Sequence, residues 1–375
     1  MMKVAAALLS ASAIFLTSDH PDARAARSET YSAQSEKNQP HVKLAQEAER
    51  NIKVMKGMPD AQVLPTMRFM SASLGVRCDF CHVSKDGQLD AASDEKKEKE
   101  TARDMIKMVR VINGANFRGE PQVSCFTCHA GQPVPQKFPS LPVQIASAAG
   151  STQPAETLPS GSTVIEKYIA AIGGRAAIEK ITSCVMRGKL ATASGLTGTY
   201  ETDQVPPHEG YESVTTSLGG RERAVNETAG WEKTSFGITD LSRQQLSDTR
   251  LSLPLLLDLG LKREYSEAEV SRKEKIDNRE TYVVDATRND GKRERLYFDR
   301  ETGLLLRRIS YSPTMIGVIP EQIDLGDYRE IEGVKFPFTV RVSTADSNNP
   351  STIRTFDEIN VNVPVANSKF EKPKS

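Results

Sequence analysis

The chain has 375 residues, length enough for two or three domains, and its 49 Lys and Arg balance its 49 Asp and Glu. A formal net charge of zero argues against a nucleic-acid partner, which a basic excess would signal. Charge is local instead: Asp94-Glu95-Lys96-Lys97-Glu98-Lys99-Glu100 is dense in both signs and reads as a solvated loop or first helical turn.

The first residues carry an export pattern. Lys3 gives a positive start, Val4 to Leu16 is apolar, and Ala23-Arg24-Ala25 supplies a small-x-small cleavage site. This predicts a signal peptide over residues 1–26 and a periplasmic protein, soluble or membrane-peripheral. The apolar run is short for a membrane anchor, and Leu251 to Leu259 is broken by Pro254 and Asp258. No cysteine near the cleavage region offers a lipid attachment point.

From His41 to Gly131 the chain is rich in Lys, Glu and Met and reads as helical. Met67, Met70 and Leu74 stand at i, i+3, i+7 on one helix face that ends at Gly75. Met105, Met108 and Ile112 repeat that spacing and end near Asn113-Gly114.

After each methionine helix comes a Cys-x-x-Cys-His segment: Cys78-Asp79-Phe80-Cys81-His82 and Cys125-Phe126-Thr127-Cys128-His129. This is the attachment spacing for c-type haem. On one helical turn, two thiols three residues apart reach the two vinyl groups of one porphyrin, and the next residue, His, lies under the iron. Three other readings compete: a zinc site, which needs no following His; a redox dithiol, which belongs at a strand-to-helix junction; and plain disulfides across a strained two-residue loop. The doubled His and the export pattern favour haem, so two covalent haems c are expected, with His82 and His129 as proximal ligands. A filled sixth position makes an electron carrier; an open one permits catalysis or gas binding. A methionine stripe is more often core packing than ligation, but here each motif has its own upstream pair.

The run from Met55 to Gly131 resembles the cytochrome subunit of photosynthetic reaction centres. The matching residues are Thr66-Met67, Ser73-Leu74-Gly75-Val76, Ala102-Arg103-Asp104-Met105-Ile106-Lys107-Met108 with Ile112-Asn113, and Val123-Ser124-Cys125-Phe126-Thr127-Cys128-His129. The resemblance implies that Met67 is the sixth ligand for the haem on His82 and Met105 for the haem on His129, with Met70 and Met108 packed against the porphyrins. It also implies a redox partner protein, such as a membrane-bound reaction centre or oxidoreductase. Familiar members carry four haem motifs and this chain two. The loop Ala115 to Ser124 lacks the His that one of their haems uses. His41 and His208 remain; His41, before the cytochrome helices, could in principle replace a Met, but an exposed polar residue is the plain reading.

Residues 132–162 hold Pro133, Pro135, Pro139, Pro142, Pro154 and Pro159, a linker composition. A second domain is expected over 163–375. Thr163-Val164-Ile165-Glu166 fits a capping box, and Ile165, Tyr168, Ile169 and Ile172 form a helical stripe stopped by Gly173-Gly174. Hairpin signals follow: Tyr282-Val283-Val284 before Asn289-Asp290-Gly291, Leu296-Tyr297-Phe298 before Glu301-Thr302-Gly303, and Tyr328 to Phe338 around Glu332-Gly333. Cys184 reads as a buried inert thiol. The order of helix then antiparallel sheet, with Tyr297-Phe298-Asp299 and Val334-Lys335-Phe336-Pro337-Phe338, weakly resembles the half-barrel domains of lipoprotein carriers. That resemblance implies room for an apolar ligand.

The expected architecture is multidomain: an all-α multihaem cytochrome c domain over 41–131, the 132–162 linker, and an α+β domain with a curved antiparallel sheet. The expected function is electron transfer without a catalytic residue; carriage of an apolar molecule or lipid by the second domain is the alternative.

Overall fold

The structure is a computed structural model that describes residues 43–85, 88–136, 157–193, 195–235, 237–344 and 352–374. The predicted signal peptide, His41 and most of the Pro-rich linker lie outside the described residues. The described residues fall within one unit, His41–Ser375. Among them, no helix is long and apolar enough to cross a membrane.

Before the linker the chain forms a short helix α1 (Ala45–Ala48), α2 (Val63–Leu74), α3 (Lys97–Asn116) and the single turn α4 (Cys125–His129). This segment is not all-α. Strands β1 (Val83–Lys85) and β2 (Gln88–Asp90) make an antiparallel hairpin directly after the first haem motif. At three residues each they are too short to leave an alternating pattern in the sequence. Helix α2 ends as expected, with Gly75 in the left-handed conformation at φ +66. A side chain there would also overlap the Gly131 carbonyl, so only glycine fits. Helix α3 runs past Gly114 to Asn116, two residues beyond the predicted stop.

After the linker, α5 spans Gly161–Ala171, earlier than predicted. Its cap is Ser160, whose Oγ accepts from the Thr163 N–H at 3.1 Å, so Thr163 is inside the helix rather than its cap. The stripe Ile165, Tyr168, Ile169 and Ile172 is buried. A short helix, α6 (Arg175–Ile178), leads into the sheet.

Thirteen strands follow in two meanders. The first is β3 (Cys184–Thr192), β4 (Thr197–Val205), β5 (Glu209–Thr216), β6 (Gly219–Val225), β7 (Gly230–Thr234) and β8 (Gly237–Asp240). The second is β9 (Tyr265–Ile276), β10 (Arg279–Arg288), β11 (Arg293–Asp299), β12 (Leu305–Thr314), β13 (Gly317–Ile331), β14 (Val334–Thr344) and β15 (Thr352–Val361). The last strand returns to the first, Val361 opposite Cys184, giving the curved antiparallel order 8-7-6-5-4-3-15-14-13-12-11-10-9. The expected hairpins at Asp290-Gly291, Thr302-Gly303 and Glu332-Gly333 are the β10–β11, β11–β12 and β13–β14 connections.

Two helices between the meanders, α7 (Arg243–Ser252) and α8 (Pro254–Glu264), were not expected. Pro254 does not interrupt the apolar run; it occupies the first position of α8, where its missing N–H costs nothing. Helices α5, α7 and α8 pack on the sheet through Val164, Tyr168, Leu251, Leu255, Leu261, Phe298, Phe336 and Phe356. Asp258 of α8 is buried in that core and accepts a hydrogen bond from Tyr168 Oη at 2.6 Å. Burial pushes its carboxyl up to about 7, with the Tyr168 bond opposing. Cys184 is fully buried and its thiol is pushed up to about 12, as an inert core cysteine should be.

Candidate haem-binding site

Helix α2 divides into two faces. Thr66, Phe69 and Ser73 are buried against protein, with Ser73 Oγ donating to the Phe69 carbonyl at 2.7 Å and Thr66 Oγ1 to Met58 Sδ at 3.7 Å. One residue along, Met67, Met70 and Leu74 line a cavity of about 1470 Å³. Helix α3 divides the same way: Arg103, Ile106, Val109 and Asn113 are buried, whereas Met105 and Met108 are 37% and 42% exposed and line the same cavity. Cys78, Cys81, His82, Cys125, Cys128 and His129 line it too. All eight residues expected from the sequence therefore meet in one space, larger than the roughly 300–1,000 Å³ of a usual small-molecule site.

Each motif is wound as a single turn. In the first, the N–H groups of Cys81 and His82 both reach the Cys78 carbonyl, at 3.3 and 3.1 Å. In the second, α4 is capped by Ser124, whose N–H donates to Thr127 Oγ1 at 3.0 Å, and is closed by Ala130 in the left-handed conformation. That reversal brings the Gln132 carbonyl to 2.9 Å from His129 Nδ1. A carbonyl only accepts, so the proton sits on Nδ1 and the Nε2 lone pair is free to ligate a metal. His82 Nδ1 is buried with no hydrogen-bond partner. Burial, with Lys99 nearby, pushes this imidazole below its ordinary value, with a hydrogen bond to the Ala91 backbone opposing.

The supporting contacts are polar. Asn113 clamps the chain before the second motif: its Nδ2 donates to the Val123 carbonyl at 2.8 Å and its Oδ1 accepts from the Val123 N–H at 2.9 Å. Asp94, read as a solvated loop residue, ties the start of α3 to the preceding chain through Arg103 at 2.8 Å, Lys53 at 2.7 Å, Lys99 at 3.1 Å and Asn51 at 2.8 Å. These bonds, Arg103 foremost, hold its carboxyl far below the usual range. The Gly131 N–H donates to the Ser73 carbonyl at 2.9 Å, joining the end of α2 to the end of the second motif. None of these roles had a sequence signal beyond the presence of Ser73, Arg103, Asn113 and Val123 among the matching residues. His208 is half-buried between β4 and β5 and does not line the cavity.

The other readings of the cysteines fit less well. All five are free. Among the described residues no group of three or more His, Cys, Asp or Glu could hold a metal ion, so the two Cys pairs do not converge as a shared zinc site requires. Burial pushes the thiols of Cys81 and Cys125 up, opposite to the shift of a reactive dithiol.

A paired-motif segment of this kind, with a methionine helix ahead of each Cys-x-x-Cys-His turn, is similar to c-type cytochromes. The comparisons agree. Residues 15–163 match the family model for the photosynthetic reaction centre cytochrome C subunit. Cytochrome c-554 of Chloroflexus aurantiacus is 37% identical over 90 residues, covering 22% of this chain and 20% of that protein. The photosynthetic reaction center cytochrome c subunit of Thermochromatium tepidum is 31% identical over 96 residues, covering 24% and 23%. The chain thus spans about a fifth of the length of these relatives. For the sheet, a solved LolA superfamily protein from Nitrosomonas europaea is similar over 57% of this chain and 99% of that one, at 14% identity and TM-score 0.41, a likeness too slight to speak for function.

Proposed function

We propose that the chain is an exported electron carrier with two covalently attached haems c. Cys78 and Cys81 anchor one and Cys125 and Cys128 the other; His82 and His129 are the proximal ligands, Met67 and Met105 the distal ones. The domain division read from the sequence, 41–131, 132–162 and 163–375 after a signal peptide over 1–26, belongs to this proposal, as does a periplasmic location. The observation that carries it is the convergence of two Cys-x-x-Cys-His turns and two methionine faces on one cavity.

When bound, each haem supplies an Fe(III)/Fe(II) couple, and His/Met ligation sets a higher potential than two imidazoles would. The chain's own residues do the rest. The Gln132 carbonyl fixes the tautomer of His129, and burial disfavours the charged form of His82. Asn113 and Asp94 fix α3 against the second motif and the preceding chain. The partner is a redox protein, such as a membrane-bound reaction centre or oxidoreductase.

A second reading, carriage of an apolar molecule by the sheet, is favoured by the cavity's continuation past the haem motifs to Leu190, Val214, Ile319, Ile323 and Val342. Glu212, Arg221 and Arg354 stand on the same walls and oppose it.

The test is an optical spectrum with haem quantitation on full-length protein matured in a host that attaches c-type haem. The expected result is two covalent haems per chain, low-spin in both oxidation states, with the weak sulfur-to-iron band of Met ligation. High-spin iron points instead to an enzyme or gas sensor, and an absence of covalent haem defeats the proposal. Organic extraction of the same preparation followed by mass spectrometry decides the second reading.

A further inference from the structure

Hairpin tips in water are built from Gly, Asn and Asp. The β12–β13 tip is Met315-Ile316, and Ile316 is fully buried. Met315 packs on the cluster of Met55, Met58 and Val63, where Met67 also lies. Gly317, at φ +134, closes the turn with its α-carbon against the second haem unit: a methyl group there would stand 2.7 Å from the Ser124 Cβ. Ser124 caps the turn that carries Cys125 and His129. The tip is held rigid by Thr314 Oγ1, which donates to the Gly317 carbonyl at 2.8 Å.

We propose that this tip is a wedge through which the sheet sets the axial coordination of both haem units. Met315 is a positioning residue for Met67, and Gly317 is one for the turn that presents His129. The inference rests on the dihaem reading and adds a role for the sheet within it. The two units are already joined by the Gly131–Ser73 hydrogen bond; the tip adds a second abutment, with Met315 facing the cluster beside the first unit and Gly317 facing Ser124 of the second.

The test uses full-length holoprotein. Met67→Ala and Met105→Ala first assign which optical and redox signals belong to which haem. In Met315→Ala, two haems remain covalently bound, the sulfur-to-iron band of the Met67 haem weakens, its midpoint potential falls, and carbon monoxide binding appears there. The haem on His129 keeps its potential. Gly317→Ala gives the reverse pattern. A third variant, with Met315→Asn and Ile316→Gly together, removes the wedge while installing a favoured two-residue turn. It gives the losses of Met315→Ala at the Met67 haem with an unchanged far-ultraviolet dichroism. Potentials, band intensity and carbon monoxide binding that match the parent in Met315→Ala and in the double variant overturn the inference. A parent protein without covalent haem overturns the dihaem reading, and the inference with it.

Discussion

Around the sheet, helices α5, α7 and α8 bury a continuous core that runs from Val164 to Val361. Before the linker, the buried cluster is Ala45, Met55, Met58 and Val63, and its outer side leans on Met67 and on Met315 of the sheet. Leu64, Val111 and Phe126 of this segment are more than half exposed. One region therefore holds its shape by hydrophobic burial. The other, with little to bury, is braced by polar clamps at Asp94 and Asn113 and by contacts at its edges. Such a segment needs an added staple, and a covalently attached macrocycle is one.

The sharpest way to break this contrast is to remove the staple. In Cys125→Ala with Cys128→Ala, and in the matching pair at Cys78 and Cys81, one haem is lost per pair. Residues 43–136 then become sensitive to limited proteolysis, while a fragment beginning near residue 157 survives. Equal sensitivity of both regions would show that the sheet, too, depends on the haems.

The next effect is confined to the sheet. Asp258 has a folded pKa of about 7 against a usual 3.8. Its contribution is fully present below the unfolded value and is lost as pH rises from about 4 through 7, amounting to ~4 kcal/mol. Asp258→Asn keeps an acceptor for Tyr168 Oη and cannot ionise. The difference in stability between parent and variant, followed by denaturant unfolding of the sheet, should therefore shift in the variant's favour as pH rises from 5 to 8. A constant difference across that range would refute the assigned carboxyl. The smallest effect is at the α5 cap: Ser160→Ala removes the acceptor for Thr163 N–H and should cost about 1 kcal/mol, again within the sheet alone.

Legibility in the sequence follows the same division. The haem motifs, the methionine faces and the hairpin turns are local patterns, and each lies where the spacing put it. What escaped was either too short or non-local. The β1–β2 hairpin has only three residues per strand, and Pro254 reads alike as a break or as a helix start. The Gln132 carbonyl depends on a reversal at Ala130 that no residue type announces. Met315 and Met67, 248 residues apart, pack on the same cluster of Met55, Met58 and Val63, and nothing short of the fold brings them there.

The pairing of β15 with β3 sets an order of events. Thr352–Val361 ends the second meander beside β14 and pairs there with Cys184–Thr192 from the start of the first, so the middle of the sheet is the last part that an emerging chain can complete. By then Cys78, Cys81, Cys125 and Cys128 have already been synthesised. The two Cys-x-x-Cys-His segments are thus complete in the chain before the strand that closes the sheet has emerged.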